Sequence, residues 1–372
     1  EAPAKKAPVK EAPAKKAPAK KAPAKKAPCD EKPRARKVSE SPEPKTKRSR
    51  RSTTKKIRYH SDADNEDWSD WSTNENVGCS DIPTLWGVDE HISASLFEAI
   101  LAEGYAGVEV IALAYSSRSA EEVLVEAANS AGLSVIFQIH TSGGYIDEET
   151  GEYVYIDSYD VQVDILNQLH SGGFINVHAG VDAWCLDESI DFLQRASTII
   201  DVCKYNVVIE THRQRLFHSP FTTRELLSHP KVKELANIKL NADLSHWFVS
   251  CERIFDPSTK RDRGWWPSLL GDLLAPRCEY IHCRFGFAQG PQMADPSIKE
   301  CEQDVYLQLR NWVVLWKSQI DRGDDECWCC PEYGPKPYMP SLPNGEDVAS
   351  LTRAVKCTKE AIQDVFDGEF NG

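Results

Sequence analysis

The feature that most constrains this chain is an alternation of two kinds of segment, repeated eight times between residues 82 and 366. Short apolar runs recur as IPTLWGV (82–88), GVEVIAL (107–113), SVIFQIH (134–140), FINVHAG (174–180), NVVIE (206–210), IKLNADL (238–244), CEYIHCRFG (278–286) and ECWCCPEYG (326–334). They are too short for helices, rich in β-branched residues and apolar on both faces, which is the pattern of buried parallel strands. Between them lie stretches with helical spacing, among them SASLFEAILAEG, SAEEVLVEAANSAG, SYDVQVDILNQLHSGG, CLDESIDFLQRASTIIDVCKY, TTRELLSHPKVKELA, the long segment 296–320 and a final one from 345 to 366. Eight βα units in about 290 residues match a (β/α)8 TIM barrel in count and length. A doubly wound open sheet is the competing arrangement, but it seldom repeats eight times at such even spacing.

Outside the repeat the chain changes character. Residues 1–60 hold 21 Lys/Arg against 6 Asp/Glu, a net +15, so the formal −13 of the whole chain leaves −28 for residues 61–372. PAKK recurs at 3–6, 13–16, 18–21 and 23–26 with Ala and Pro between and almost nothing to bury. Residues 1–78 are therefore expected to be a disordered basic N-terminal tail with an acidic linker, and 79–372 the barrel. The cluster KTKRSRRSTTKK (45–56) is a candidate import signal or nucleic-acid contact, with a solvated linker as the plain alternative. No run of 18 apolar residues exists and no signal-peptide core stands near the start, so no membrane span is expected. The expected location is cytoplasmic, or nuclear if the basic cluster acts as a signal, and not secreted. The 12 cysteines are then expected to be reduced, and Cys327, Cys329 and Cys330 read as strand core because their spacing is not that of a zinc motif.

In a barrel of this kind the chemistry sits at the carboxyl ends of the strands. Those ends carry His140, His178, Glu210, Asp243 with His246 just beyond, His282 with Arg284, and Glu332. Glu210 and Asp243 are 33 residues apart, about one βα unit, which puts them at the same end of neighbouring strands. Any one of these residues has an ordinary reading as a satisfied core group or a helix cap. Together, Glu210, Asp243, His282 and Glu332 converge on one point, where four buried polar groups without a compensating ion would be costly. Three carboxylates and one imidazole form a mostly hard-oxygen set suited to one divalent ion, Mn²⁺, Mg²⁺ or Co²⁺ ahead of Zn²⁺. Such an ion can polarise a sugar carbonyl, with Glu210 and Glu332 as the catalytic acid and base at the neighbouring carbon.

The motifs IETHR, NADLSHW, IHCRFGFAQGPQMADP and PEYGPKPYMP resemble those of the sugar phosphate isomerase/epimerase proteins of the xylose isomerase-like TIM-barrel superfamily, over residues from about 80 to 372. The resemblance implies a divalent-metal site of Glu210, Asp243, His282 and Glu332, acid/base roles for Glu210 and Glu332, and substrate contacts from His246, Arg284 and His178. Ketose 3-epimerases of this superfamily carry another Glu six residues after the first metal Glu; here that position is Leu216. A second reading within the same fold is an endonuclease IV-like metal-dependent phosphodiesterase acting on abasic DNA. For it the chain offers His140, His178, Asp243 with His246, and Asp295, but has Ser297 where a further His is expected. A third is a catalytically silent binding barrel.

Other residues are candidates for substrate contact. Trp86, Trp184 and Trp247 can wall an apolar side of a sugar pocket or pack the core. Arg213, Arg215 and Arg284 lie near the expected mouth and can hold a phosphate or neutralise the metal carboxylates. The loop 286–296 reads as a lid or a rigid connector, and Trp265 and Trp266 as barrel exterior, packed there or against a second subunit of a homo-oligomer.

Overall fold

The computed structural model describes residues 78–85, 94–111, 118–141, 144–146, 153–155 and 174–370. The basic tail, Trp86 and the helix expected at 158–173 lie outside them. Eight parallel strands form the barrel: β1 (Gly78–Asp81), β2 (Gly107–Ile111), β3 (Ser134–His140), β6 (Phe174–His178), β7 (Asn206–Glu210), β8 (Lys239–Ala242), β9 (Cys278–His282) and β10 (Glu326–Cys330), with β4 (Gly144–Ile146) and β5 (Tyr153–Tyr155) as a short antiparallel hairpin after β3. The ladder runs β1-β10-β9-β8-β7-β6-β3-β2. It closes through a parallel bridge between Thr84 and Glu109, flanked by hydrogen bonds from Ala106 N to Asp81 O and from Glu109 N to Pro83 O, both 2.9 Å. The TIM barrel expected from the alternation is the fold observed.

The first strand differs from its expected span. Pro83 has no amide hydrogen to give a ladder, so regular pairing with β10 is made by the four residues before Ile82. IPTL then crosses to the β2 side. GCSD gave no strand signal because only its neighbours make it one.

The helices between strands are α1 (Ala94–Ala102), α2 (Arg118–Ala131), α3 (Leu186–Ile200), α4 (Pro220–Ser228), α5 (Pro230–Lys233), α6 (Ser245–Ser250), α7 (Glu302–Arg322) and α8 (Leu351–Phe370). The single helix expected over 222–236 is split. His229 precedes a proline and takes the extended conformation (φ −69°, ψ 133°), which ends one helix and lets Pro230 begin the next. Helix α7 is stopped by Gly323, whose φ of 89° is a left-handed cap that glycine adopts without strain.

Strand alternation sorts the buried residues into two sets. Val135, Phe137, Ile139, Val177, Val207, Ile209, Leu240, Ala242 and Ile281 belong to the large apolar cluster that also takes in the buried helix faces. Ile82, Ile136, Phe174, Val208, Tyr280 and Cys330 form a separate plug inside the barrel. On the same inward-facing parity sit Glu109, Gln138, Asn176 and Asn241, all buried, and beyond them the strand-end residues. The barrel interior is thus apolar at one level and polar at the next.

The segment 286–296 is a tied connector. Gln308 holds Gly286 through both backbone groups, and Gln292 does the same for Gly334, at 2.8 to 3.1 Å. Trp266 is buried against Trp247 and Phe255, its indole N–H donating to Asn311.

Candidate metal centre

Glu210 ends β7, Asp243 follows β8, His282 ends β9 and Glu332 lies two residues past β10. All four are buried, at 1, 0, 0 and 5% exposure. Ligand atoms of Glu210, Asp243 and His282 lie within 4.8 Å of one another. Glu332 joins them at His282: its Oε2 is 3.0 Å from Nδ1, and Glu210 Oε2 is 3.6 Å from the same nitrogen. The four expected ligands are therefore brought together.

A fifth group sets the orientation of the histidine. His282 Nε2 donates to Glu109 Oε2 at 2.9 Å, and Tyr280 Oη donates to the same oxygen at 2.6 Å. With Nε2 committed to a carboxylate, Nδ1 is the nitrogen that faces Glu210 and Glu332, an arrangement that metal-binding histidines commonly use. Glu109 was missed in the sequence because it lies inside the run GVEVIAL and not at its end. The signal was there: a lone charge in the middle of an otherwise apolar strand is costly unless a partner meets it.

The electrostatics favour a cation. Glu109, Glu210, Asp243 and Glu332 are four buried carboxylates, and among the described residues Arg284 is the fully buried arginine that meets them. It pairs with Asp243 Oδ2 through Nη2 and with Glu332 Oε2 through Nη1 at 3.0 Å. Burial pushes the Asp243 carboxyl up to about 6 against the pull of Arg284. At Glu332 burial is outweighed by Arg284 and then His282, which hold that carboxyl down at about 2. For Glu210 burial is likewise outweighed, by His178 and His282, and its carboxyl stays well below the usual range. Burial opposes a charge on His282, yet Glu109, Glu332 and Glu210 raise its imidazole well above the ordinary value. In the metal-free chain a proton on His282 thus does part of what an ion would do. His282 Nδ1 and Glu332 Oε2 approach to 3.0 Å without hydrogen-bond geometry between them, and Glu332 Oε2 is otherwise met by the Arg284 ion pair. Two buried, converging donor atoms left in this way fit a divalent ion at that point.

Beside this centre lies a file of imidazoles. His140 stacks on His178 (4.5 Å between centroids), while His178 and His212 (4.5 Å) and His212 and His246 (3.8 Å) meet with tilted rings, and Tyr338 stands edge-on beyond at 6.4 Å. Burial and then His178 hold His140 neutral, down to about 3; burial does the same for His212 and His246. His178 reaches Glu210 Oε2 at 2.8 Å, where Asn176 also donates at 2.7 Å. Arg284 Nη2 donates to His246 Nε2 at 2.9 Å. Arg213 and Arg284 both lie over the Tyr338 ring, at 5.2 and 5.1 Å. His212 and Tyr338 were not singled out in the sequence, though both stand inside its motifs.

The contacts of Trp247 and Arg284 bear on the two readings that each of them has in the sequence. Trp247 has no exposure, packs edge-on against Trp266 and donates its indole N–H to Phe217 O at 2.8 Å, so its contacts are those of core packing and not of a substrate wall. Arg284 is 2% exposed and spent on two carboxylates, which is the neutralising role. Asp295 stays outside the centre: its Oδ1 accepts from Ser297 N and Oγ, and its Oδ2 faces Arg353 at 3.4 Å. Leu216 is buried in the apolar cluster.

No protein-family model matches the chain, and no curated protein matches it. Solved structures similar to it include a D-psicose 3-epimerase crystallised with D-fructose, at 11% identity and a TM-score of 0.46 over 79% of this chain and all of that one. Another is a sugar phosphate isomerase/epimerase from Parabacteroides distasonis (12%, TM-score 0.45, 80% of this chain and 98% of that one). A third is a family 2 AP endonuclease from Brucella melitensis (13%, TM-score 0.42, 70% and 94%).

Proposed function

We propose that this protein is a divalent-metal-dependent isomerase or epimerase of a sugar or sugar phosphate, working by proton transfer at the carbon next to a carbonyl. The observation that carries the reading is the set of buried carboxylates gathered around His282 Nδ1, with, among the described residues, a single fully buried arginine to meet them. Glu210, Asp243, His282 and Glu332 are the residues that would hold the ion. Bound there, Mn²⁺, Mg²⁺ or Co²⁺, or Zn²⁺ in their place, would supply a Lewis acid for the carbonyl and make the adjacent C–H more acidic.

The chain's own groups then do the proton work. Glu210 and Glu332 are both held ionised, so each begins as a base. Arg284 fixes Glu332, while Asn176 and His178 fix Glu210, so the two carboxylates keep their positions as a proton arrives. The neutral imidazoles of His140 and His246 offer hydrogen bonds to hydroxyl groups without adding charge, and Arg213 is available for a phosphate or carboxylate end.

The test is turnover in D₂O over a panel of ketoses, aldoses and their phosphates. The expected result is one deuterium at one carbon of the product, with Glu332→Gln retaining metal at reduced affinity and losing exchange by roughly 10²–10⁴-fold. Unlabelled product would mean a hydride shift and would leave Glu210 and Glu332 as ligands only.

A second reading has one observation in its favour. His178, Glu210 and His212 also lie within ligand reach of a common point, which suits a second ion and a phosphodiesterase acting on abasic DNA. The engagement of Asp295 by Ser297 N and Oγ, away from the centre, and the serine at 297 where a histidine is expected count against it. Metal content separates the readings: one ion per chain agrees with the isomerase at this centre, two or three Zn²⁺ there with the nuclease, and none with a silent binding barrel.

A further inference from the structure

On the outer face of the barrel, where the first strand meets the last, a second cluster of metal-ligating groups is assembled. Cys79 and Asp81 belong to β1, Cys329 to β10, and Cys283 follows β9. Cys79 Sγ lies 3.2 Å from Cys329 Sγ, and the Cys329 thiol donates to Asp81 Oδ1 at 3.2 Å. Cys283 is fully buried in the same apolar cluster as Cys329. We propose that Cys79, Asp81 and Cys329, with Cys283 beside them, form a soft metal site for a zinc-class divalent ion that clamps β1 to β10.

The geometry meets what such an ion needs. Ligand atoms of Cys79, Asp81 and Cys329 all lie within 4.8 Å of one another. Bond lengths of about 2.3 Å to sulfur and 2.0–2.2 Å to oxygen place neighbouring tetrahedral ligands between about 3.3 and 3.8 Å apart, so the thiols have only to open by about half an ångström. Asp81 is what sets this cluster apart from a pair of thiols awaiting oxidation. A disulfide has no use for a carboxylate, whereas a buried one beside thiols is what a thiolate-bound ion shares its charge with. Its second oxygen accepts from Gln363 Nε2 of α8 at 3.1 Å, which fixes the carboxylate with Oδ1 turned to the thiols. Lys359, the nearby cation, is spent on Glu103 O at 2.7 Å and on the Tyr105 ring. Cys79 is partly exposed and gives the ion access, while Cys283 and Cys329 are fully buried. Binding forms metal–sulfur bonds in place of S–H bonds and releases the thiol protons to solvent.

The position gives the ion a role. β1 pairs along four residues with β10, but on its other side no regular ladder forms among the described residues: Asp81 O accepts from Ala106 N, and the isolated bridge at Thr84 follows past the end of the strand. A cross-link from Cys79 and Asp81 to Cys329 holds the weaker-tied strand at the seam. No ligand is shared with the centre of Glu210, Asp243, His282 and Glu332, so the two sites can be emptied separately.

The full chain, purified reduced and metal-free, is titrated with Co²⁺ and read by the near-ultraviolet thiolate-to-cobalt charge-transfer band, which oxygen and nitrogen ligands do not give. The expected result is one thiolate-bound Co²⁺ per chain, the band lost in Cys329→Ser and in Cys79→Ser but kept in Asp243→Asn. Zn²⁺ should abolish the band by displacement and raise the melting temperature of the wild type but not of Cys79→Ser. Cys79 is partly exposed and its serine variant is expected to fold, so the test does not depend on the buried Cys329. Absence of a thiolate band in the wild type, its survival in Cys79→Ser, or an intact mass two hydrogens short showing a disulfide in place of bound metal would each overturn the proposal.

Discussion

Strands β9 and β10 carry opposite chemistries on their two faces. His282 faces the barrel interior with Glu109, Glu210 and Glu332, and its chain neighbour Cys283 faces outward with Cys329. Cys330, next to Cys329, returns to the inner plug with Tyr280. One residue along a strand separates a site of hard oxygen donors from a site of thiols. The difference teaches that parity within a strand, and not nearness in sequence, decides which chemistry a side chain joins. It also separates two kinds of dependence on metal: the inner set has a surplus of carboxylates, while the outer one has the single carboxylate of Asp81 and gains further charge only when its thiols give up protons.

The comparison breaks most visibly at Arg284. Arg284→Ala leaves Asp243 and Glu332 buried without their partner and is expected to cost the metal-free protein about 3–5 kcal/mol. Denaturant unfolding with and without Mn²⁺ checks this. The ion should restore much of the loss at the inner centre, and no restoration would show that the carboxylates do not hold it.

Glu109→Gln replaces the carboxylate that orients His282 with a neutral amide and should weaken inner-site metal affinity by about 10–100-fold while the outer site keeps its thiolate band. Equal affinity in wild type and variant, by competition with a chelator, would confine Glu109 to a structural role.

The pH dependence sharpens the same contrast. In the metal-free chain His282 holds a proton well above the ordinary imidazole range, and Asp243 takes one below about 6. Protonated forms do not ligate, so inner-site affinity should fall as pH falls. The loss is expected to be about tenfold per pH unit while only His282 competes, and to steepen towards about a hundredfold per unit below about pH 6. A slope unchanged through that region would remove Asp243 from the ligand set.

The smallest expected effect is that of the tail. Removing residues 1–77 should leave thermal unfolding unchanged, since that stretch has no burial pattern in its sequence. A lower melting temperature in the trimmed protein would make the tail part of the fold.

What was legible in the sequence follows the same division. Glu210, Asp243, His282 and Glu332 could be found because each ends an apolar run at a βα spacing, and the barrel rule then assigns them one end. Glu109 could not be found by that rule, because it sits a level deeper, where only its meeting with His282 and Tyr280 explains it. Trp247 was ambiguous for a different reason: an aromatic residue at a strand end serves a pocket wall or a core equally well until its partners are known. The outer cluster was beyond reach of any spacing motif, since Cys79 and Cys329 are 250 residues apart and meet only because the barrel closes. The start of β1 was hidden too, as polar GCSD owes its strand to β10.

The central claim is that four strand-end side chains hold one divalent ion inside the barrel. It is tested most directly by metal content after dialysis in a Cys79→Ser background, which takes the outer site out of the count. One ion per chain is expected there, falling to none when Asp243→Asn is added while circular dichroism still reports the folded barrel. Full metal content in the folded Asp243→Asn chain, or no metal in the parent after loading with Mn²⁺, Co²⁺ or Zn²⁺, would contradict the account.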